Sequence, residues 1–157
     1  MSSKDKNLSE FDYAVPEKPG SRIGIAVSEW NTEVTSALLN GAHEILNQAK
    51  VDPNNVVTLS VPGSYELILA SQRLAQRDDI DAVITLGCVI QGETRHFDFI
   101  CDAVANGIAQ VNLKYDKPVI FGVLTPDNQQ QALDRAGGKH GNKGGEAAYT
   151  ALRMLDL

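Results

Sequence analysis

Apolar and polar positions along the chain change period several times, and each change marks an element. "RIGIAV" (22–27) is a short β-branched run and reads as the first strand. Over 31–50 the apolar positions become Val34, Ala37, Leu38, Ala42, Ile45, Leu46 and Ala49. That spacing predicts a helix with one face on a sheet, and Asn31 or Thr32 stands where its cap belongs. "NVVTLSV" (55–61) reads as a second strand and "YELILASQRLAQR" (65–77) as a second helix, closed by the polar turn "DDID". "AVITLGCVI" (82–90) is a third strand. A third helix begins near Thr94 and buries Phe97, Ile100, Cys101, Val104, Ile108 and Val111. "PVIFGVL" (118–124) is a fourth strand, with Pro118 at its start, where a missing N–H is tolerated. A short helix (128–136), a flexible glycine-rich loop (137–145) and a last helix (146–155) follow.

Strands alternating with helices in this way predict an α/β fold, a parallel sheet with helices on both faces. Residues 1–20 are polar and carry prolines at 16 and 19, so they read as a loosely ordered arm ahead of a single domain at 21–157.

In such a sheet, ligands bind beyond the carboxyl ends of the strands. The segments there are therefore the candidates: "SEWN" after the first strand, "VPGSYE" after the second, "CVIQGETRH" after the third and "GVLTPDN" behind Phe121 of the fourth. Alone, Trp30 would cover the end of the core, Glu66 would be a first-turn acid favoured by the helix dipole, and Pro62–Gly63 a tight turn. Together they offer a flat ring for stacking and a carboxylate for the N–H groups of a heterocycle. "GETRH" is the most specific local signal. Gly92 allows close backbone approach, the helix start behind it favours an anion, and Thr94 can both cap the helix and donate to a phosphate. His96 lies in the first turn beside that anion site, and histidine is the side chain that exchanges protons near neutral pH. "RAGGKHGNKGG" adds Arg135, Lys139 and Lys143, of which the arginine suits a bidentate phosphate contact.

Composition narrows the reading. The chain has 157 residues and a net charge of −6, with basic residues scattered apart from the group between Arg135 and Lys143. It lacks the basic face a nucleic-acid groove requires. No G-x-G-x-x-G or P-loop match occurs, and no His, Cys and carboxylate spacing fits a metal. Two cysteines, Cys88 and Cys101, without a CxxC, read as free buried thiols in a reducing compartment. No apolar stretch is long enough to span a membrane and the first residues lack a secretory core, so the expected location is the cytoplasm. From residues alone, the expectation is an α/β enzyme that binds a flat polar ring and a small phosphorylated molecule.

The ordered motifs "SEWN", "VPGSYE", "GCVIQGETRHFDFI", "PVIFGVLT" and "RAGGKHGNKGGEAA" resemble the lumazine synthase family of riboflavin biosynthesis, over roughly residues 23–155. The resemblance implies a flavodoxin-like three-layer αβα sandwich with a four-stranded parallel sheet and no cofactor. It implies condensation of 5-amino-6-(D-ribitylamino)uracil with 3,4-dihydroxy-2-butanone 4-phosphate, releasing phosphate and water. By motif, Trp30 stacks on the pyrimidine, with Phe121 meeting it from a neighbouring subunit. Ser64, Tyr65, Glu66, Cys88, Val89 and Ile90 lie along the ribityl chain. Glu93, Thr94 and Arg135 bind phosphate, and His96 transfers protons. Trp30 and Gln91 stand where the family commonly has phenylalanine and arginine, and Arg95 is an unusual neighbour for His96. Family members form pentamers, some build a 60-subunit shell, and an association with riboflavin synthase belongs to the same expectation. Pentameric members often carry extra residues in the glycine-rich loop. "GGKHGNKGG" has none, which favours the shell. The rival readings are a flavin or lumazine carrier, which would not need His96 with Arg135, and a container. A receiver domain is a third rival, and the strand ends lack its acidic cluster.

Overall fold

A computed structural model describes residues 14–157. Its main sheet has the order β2-β1-β3-β4 and is parallel throughout, from β1 (Ile23–Ser28), β2 (Val56–Val61), β3 (Ala82–Cys88) and β4 (Val119–Leu124). The parallel sheet flanked by helices is the expected α/β sandwich. Every residue of β1 and β3 is buried, as central parallel strands covered on both faces require. β2 is an edge strand and alternates between half-buried and exposed positions over most of its length.

Two cores lie on the two faces. Ile23, Ile25 and Val27 of β1 and Ile84 and Leu86 of β3 meet α1 (Thr32–Gln48) and α5 (Lys143–Met154) on one side. Ala26 and Val83 meet α2 (Leu67–Ala75) and α3 (His96–Tyr115) on the other. Helix α1 packs along α5, and α2 along α3. A short α4 (Gln129–Arg135) follows β4 and buries Ala132 in the first core.

Three local expectations change. The glycine-rich loop is an antiparallel pair, β5 (Ala136–Gly138) with β6 (Gly141–Asn142), and not an irregular loop. Asn142 explains it. Its amide donates to the Ala37 carbonyl of α1 (2.9 Å), while its Oδ1 accepts from the Gly144 and Gly145 N–H groups at 2.8 and 3.2 Å. One side chain thus caps α5 and fixes the hairpin to α1, and α5 begins at Lys143, before the two glycines. Helix α3 starts at His96, and its first apolar residues, Phe97, Ile100 and Cys101, are only half-buried. Asn31 occupies the cap position of α1 in the left-handed region (φ 60°), but its side chain makes no cap bond.

The first 13 residues of the expected arm lie outside the described residues. Residues 14–20 run against the domain. The Lys18 N–H donates to the Ala49 carbonyl at 2.8 Å, Lys18 Nζ pairs with Asp156, and Glu17 pairs with Lys50 at 2.6 Å.

Candidate active site

The strand order reverses direction between β1 and β3, and a ligand crevice belongs at the carboxyl ends of those strands. The loops there are tied by backbone bonds that carry the β1–β2 pairing past the sheet. The Glu29 N–H donates to Val61 O (2.8 Å) and the Trp30 N–H to Pro62 O (3.0 Å). Asn31 closes the other side, its amide donating to the Cys88 carbonyl at 3.0 Å. Sequence spacing presents Asn31 as a cap alone. Its function as a tie between two strand ends depends on a partner 57 positions away, which no local pattern displays.

These ties shape a cleft of about 410 Å³, lined by Trp30, Asn31, Ser64, Tyr65, Glu66, Cys88, Val89, Ile90, His96 and Ile100. Most of the expected site residues therefore meet in one place. Trp30 is 67% exposed, and its ring lies against Gly63: a Cβ there would stand 2.7 Å from two ring carbons. The bare glycine is thus a platform for the indole. Glu66 Oε2 accepts from the Gly63 N–H at 3.1 Å, so the carboxylate does close its own turn. A carboxylate accepts several hydrogen bonds, and this one keeps capacity for a ligand. Cys88 is buried, and burial pushes its thiol up to about 12. It stays protonated and serves as apolar lining, not as a nucleophile. Both cysteines are free, Cys88 buried and Cys101 half-buried.

His96 sits at the mouth of the cleft, in the first turn of α3. Its backbone N–H donates to Thr94 Oγ1 at 3.4 Å. The hydroxyl proton of Thr94 is not used in that bond. Residues 91–96 are all exposed. Arg95 turns along its own helix, 3.7 Å from Asp98 and 5.9 Å from the centroid of Phe99. That contact is its place in this structure.

Phe121 and Arg135 do not join this cleft. They line a second one, of about 670 Å³, with Thr125, Gln131, Lys143 and Glu146 among its walls. Arg135 ends α4, and one guanidinium N–H donates to Gln131 O at 3.0 Å. Asp134, beside it, is buried and binds Gln130 (2.9 Å) and Lys139 (3.0 Å). Those hydrogen bonds hold its carboxyl below the usual range. They fix α4 to the hairpin and so fix the base of Arg135. The half-buried pair Lys143–Glu146 (2.6 Å) also faces this second cleft. Sequence reasoning passes over Glu146, because it looks like an ordinary first-turn acid. Among the described residues, no group of His, Cys, Asp and Glu is arranged to hold a metal.

The architecture and the motifs agree with the comparisons. The family model described as 6,7-dimethyl-8-ribityllumazine synthase matches residues 20–157. A relative of that name from Cytophaga hutchinsonii is 59% identical over 155 residues, covering 99% of this chain and 98% of its own. Relatives of the same name from Porphyromonas gingivalis and Parabacteroides distasonis are 51% and 50% identical. Each covers 100% of this chain, with 98% and 99% of their own lengths aligned. The chain belongs to the 6,7-dimethyl-8-ribityllumazine synthase family.

Proposed function

We propose that the cleft beyond β1 and β3 binds 5-amino-6-(D-ribitylamino)uracil and that the exposed turn beside it receives 3,4-dihydroxy-2-butanone 4-phosphate. As a family member the chain is a transferase of riboflavin biosynthesis. The observation that carries the residue assignment is the convergence of Trp30, Ser64, Tyr65, Glu66, Cys88, Val89, Ile90 and His96 on one cleft. The indole stacks on the pyrimidine, and Glu66 accepts from its N–H groups. Ser64 and the walls at Cys88, Val89 and Ile90 border the ribityl chain. The Glu93 backbone N–H and the Thr94 hydroxyl are the donors to the phosphate.

The amine of the first substrate attacks the ketone carbon of the second and the adduct loses water to give an imine. Phosphate is then eliminated, and the second amino group closes the ring on the remaining carbonyl with loss of a second water. His96 stands at the cleft mouth to take the proton from the amine and return it to the departing oxygen. Holding the two substrates together supplies most of the acceleration. His96→Ala is therefore expected to lower kcat by only about tenfold, with the substrate KM values little changed. Mixing the purified protein with both substrates and following lumazine absorbance tests the assignment. No product above the spontaneous background would reject the enzymatic reading, and a loss of activity beyond roughly a thousandfold in His96→Ala would reject this division of labour.

Arg135 and Phe121 open onto a different cleft from His96. In this reading a second copy of the chain brings its Arg135 cleft against the His96 cleft, so the complete site lies between subunits. The exposed side chains of Trp30, Tyr65, Leu69, Phe99, Leu113 and Phe121 supply apolar surface for such an assembly. We read the assembly as a pentamer, with the short hairpin favouring the 60-subunit shell; an association with riboflavin synthase is a separate part of the same reading. Light scattering of the purified protein should give the mass of the shell. A lone pentamer would refute the shell, and a monomer would refute the shared site. A cytoplasmic location belongs to the same proposal. None of the helices among the described residues is long and apolar enough to cross a membrane.

A further inference from the structure

The place of the Arg135 charge is not set at residue 135. The guanidinium folds back along α4 and donates to Gln131 O at 3.0 Å, so it follows the position of residue 131. Helix α4 has seven residues, about two turns, too few to hold their shape unaided. The bonds of Asp134 secure its carboxyl end. At its amino end the Gln131 side chain closes a ring with Asp127. The Asp127 N–H donates to Gln131 Oε1, and Gln131 Nε2 donates to Asp127 Oδ2, both at 3.1 Å. Asp127 is itself anchored, because Pro126 before it is buried and accepts from the Gln91 N–H at 3.0 Å. Capping of α4 does not require the Gln131 side chain. Asn128 Oδ1 already accepts from the Gln131 N–H at 3.0 Å. Asp127, Gln131 and Arg135 all line the 670 Å³ cleft.

Two bonds of one side chain thus link a point anchored at the sheet end to the turn that carries the guanidinium. A shift of about 1 Å in a binding group is enough to spoil a contact that depends on orientation. We propose that Gln131 is a positioning residue: its side chain, clasped to Asp127, sets where the Arg135 guanidinium meets the phosphate of the substrate. The clasp touches no substrate and acts only through Arg135. The inference rests on the assignment of Arg135 to that phosphate.

The test is steady-state kinetics of the purified protein, with each substrate varied in turn. Gln131→Ala is expected to raise the KM for 3,4-dihydroxy-2-butanone 4-phosphate about fivefold. Its kcat and the KM for the uracil substrate should change little. Alanine is a better helix former than glutamine, so helix propensity does not contribute to the loss. Gln131→Glu sets two carboxylates against each other and should raise the same KM at least as far. Adding Asp127→Asn to Gln131→Glu restores the clasp with donor and acceptor exchanged and the charge of the turn unchanged. That pair should return the KM to within about twofold of the parent. In the Arg135→Ala background, Gln131→Ala should raise the KM no further, because the group it positions is gone. An unchanged KM in Gln131→Ala, no recovery in the exchanged pair, or an equal further loss without Arg135 would overturn the inference while Arg135 keeps its role. An unchanged KM in Arg135→Ala would overturn the assignment of Arg135 and the inference with it.

Discussion

Gly144→Ala is expected to destabilise the protein by about 3–5 kcal/mol and to lower its melting temperature by roughly 10 °C. A Cβ at Gly144 would lie 1.8 Å from the Leu38 carbonyl oxygen and 2.5 Å from its carbon. Both are backbone atoms of α1 and cannot turn aside, so the whole helix pair would have to part. That pair covers the Ile23–Leu86 face of the sheet, and parting it opens the larger core. Alanine is the better helix former by nearly 1 kcal/mol, far too little to offset the clash. Gly145 provides the control. A Cβ there would meet Gly41 O and Ile45 Cγ1 at 3.3 Å, a contact that a slight shift relieves, so Gly145→Ala should come close to neutral. Thermal melts followed by circular dichroism at one fixed protein concentration would check both. Equal melting temperatures for the two variants would refute the proposed clash between α5 and α1.

Arg135→Ala should raise the KM for 3,4-dihydroxy-2-butanone 4-phosphate by about 10- to 100-fold, the loss of a charge-assisted contact worth roughly 1.5–3 kcal/mol. The effect should be confined to that substrate, because the cleft proposed for the ring is built from other elements. One arginine N–H is committed to Gln131 O, which holds the guanidinium on α4. Inorganic phosphate should inhibit the variant less than the parent by a similar factor. Arg135→Lys should recover part of the loss, since it keeps the charge and loses the fork. An unchanged KM for the phosphorylated substrate would remove Arg135 from the site.

Much of this molecule is legible in its sequence because the signals are local. The apolar runs at "RIGIAV" and "AVITLGCVI" are buried central strands, and the stripe from Val34 to Leu46 is the buried face of α1. Knowing that strand ends carry ligands is then enough to select Trp30, Glu66 and His96. The features that escape depend on long-range partners. Asn142 gives no hint in sequence that it will bond α1, so the hairpin reads as an irregular loop and the last helix as starting three residues late. The glycines at 144 and 145 read as helix breakers, yet one is needed for α5 to touch α1. Phe97 and Ile100 follow a buried period, but the helix overhangs the cleft there and leaves them half-covered. The division of the expected phosphate ligands between two clefts is equally hidden, because sequence spacing carries no distance between Thr94 and Arg135.

The ring resting on Gly63 belongs to the sole tryptophan among the 157 residues. The chain therefore carries its own optical probe at the place where a flat ligand would stack. Indole emission should report on that cleft alone, without a label and without background from elsewhere in the fold. Occupancy, exchange and competition between ring-bearing ligands become readable from the unmodified protein, in the same cuvette that follows turnover.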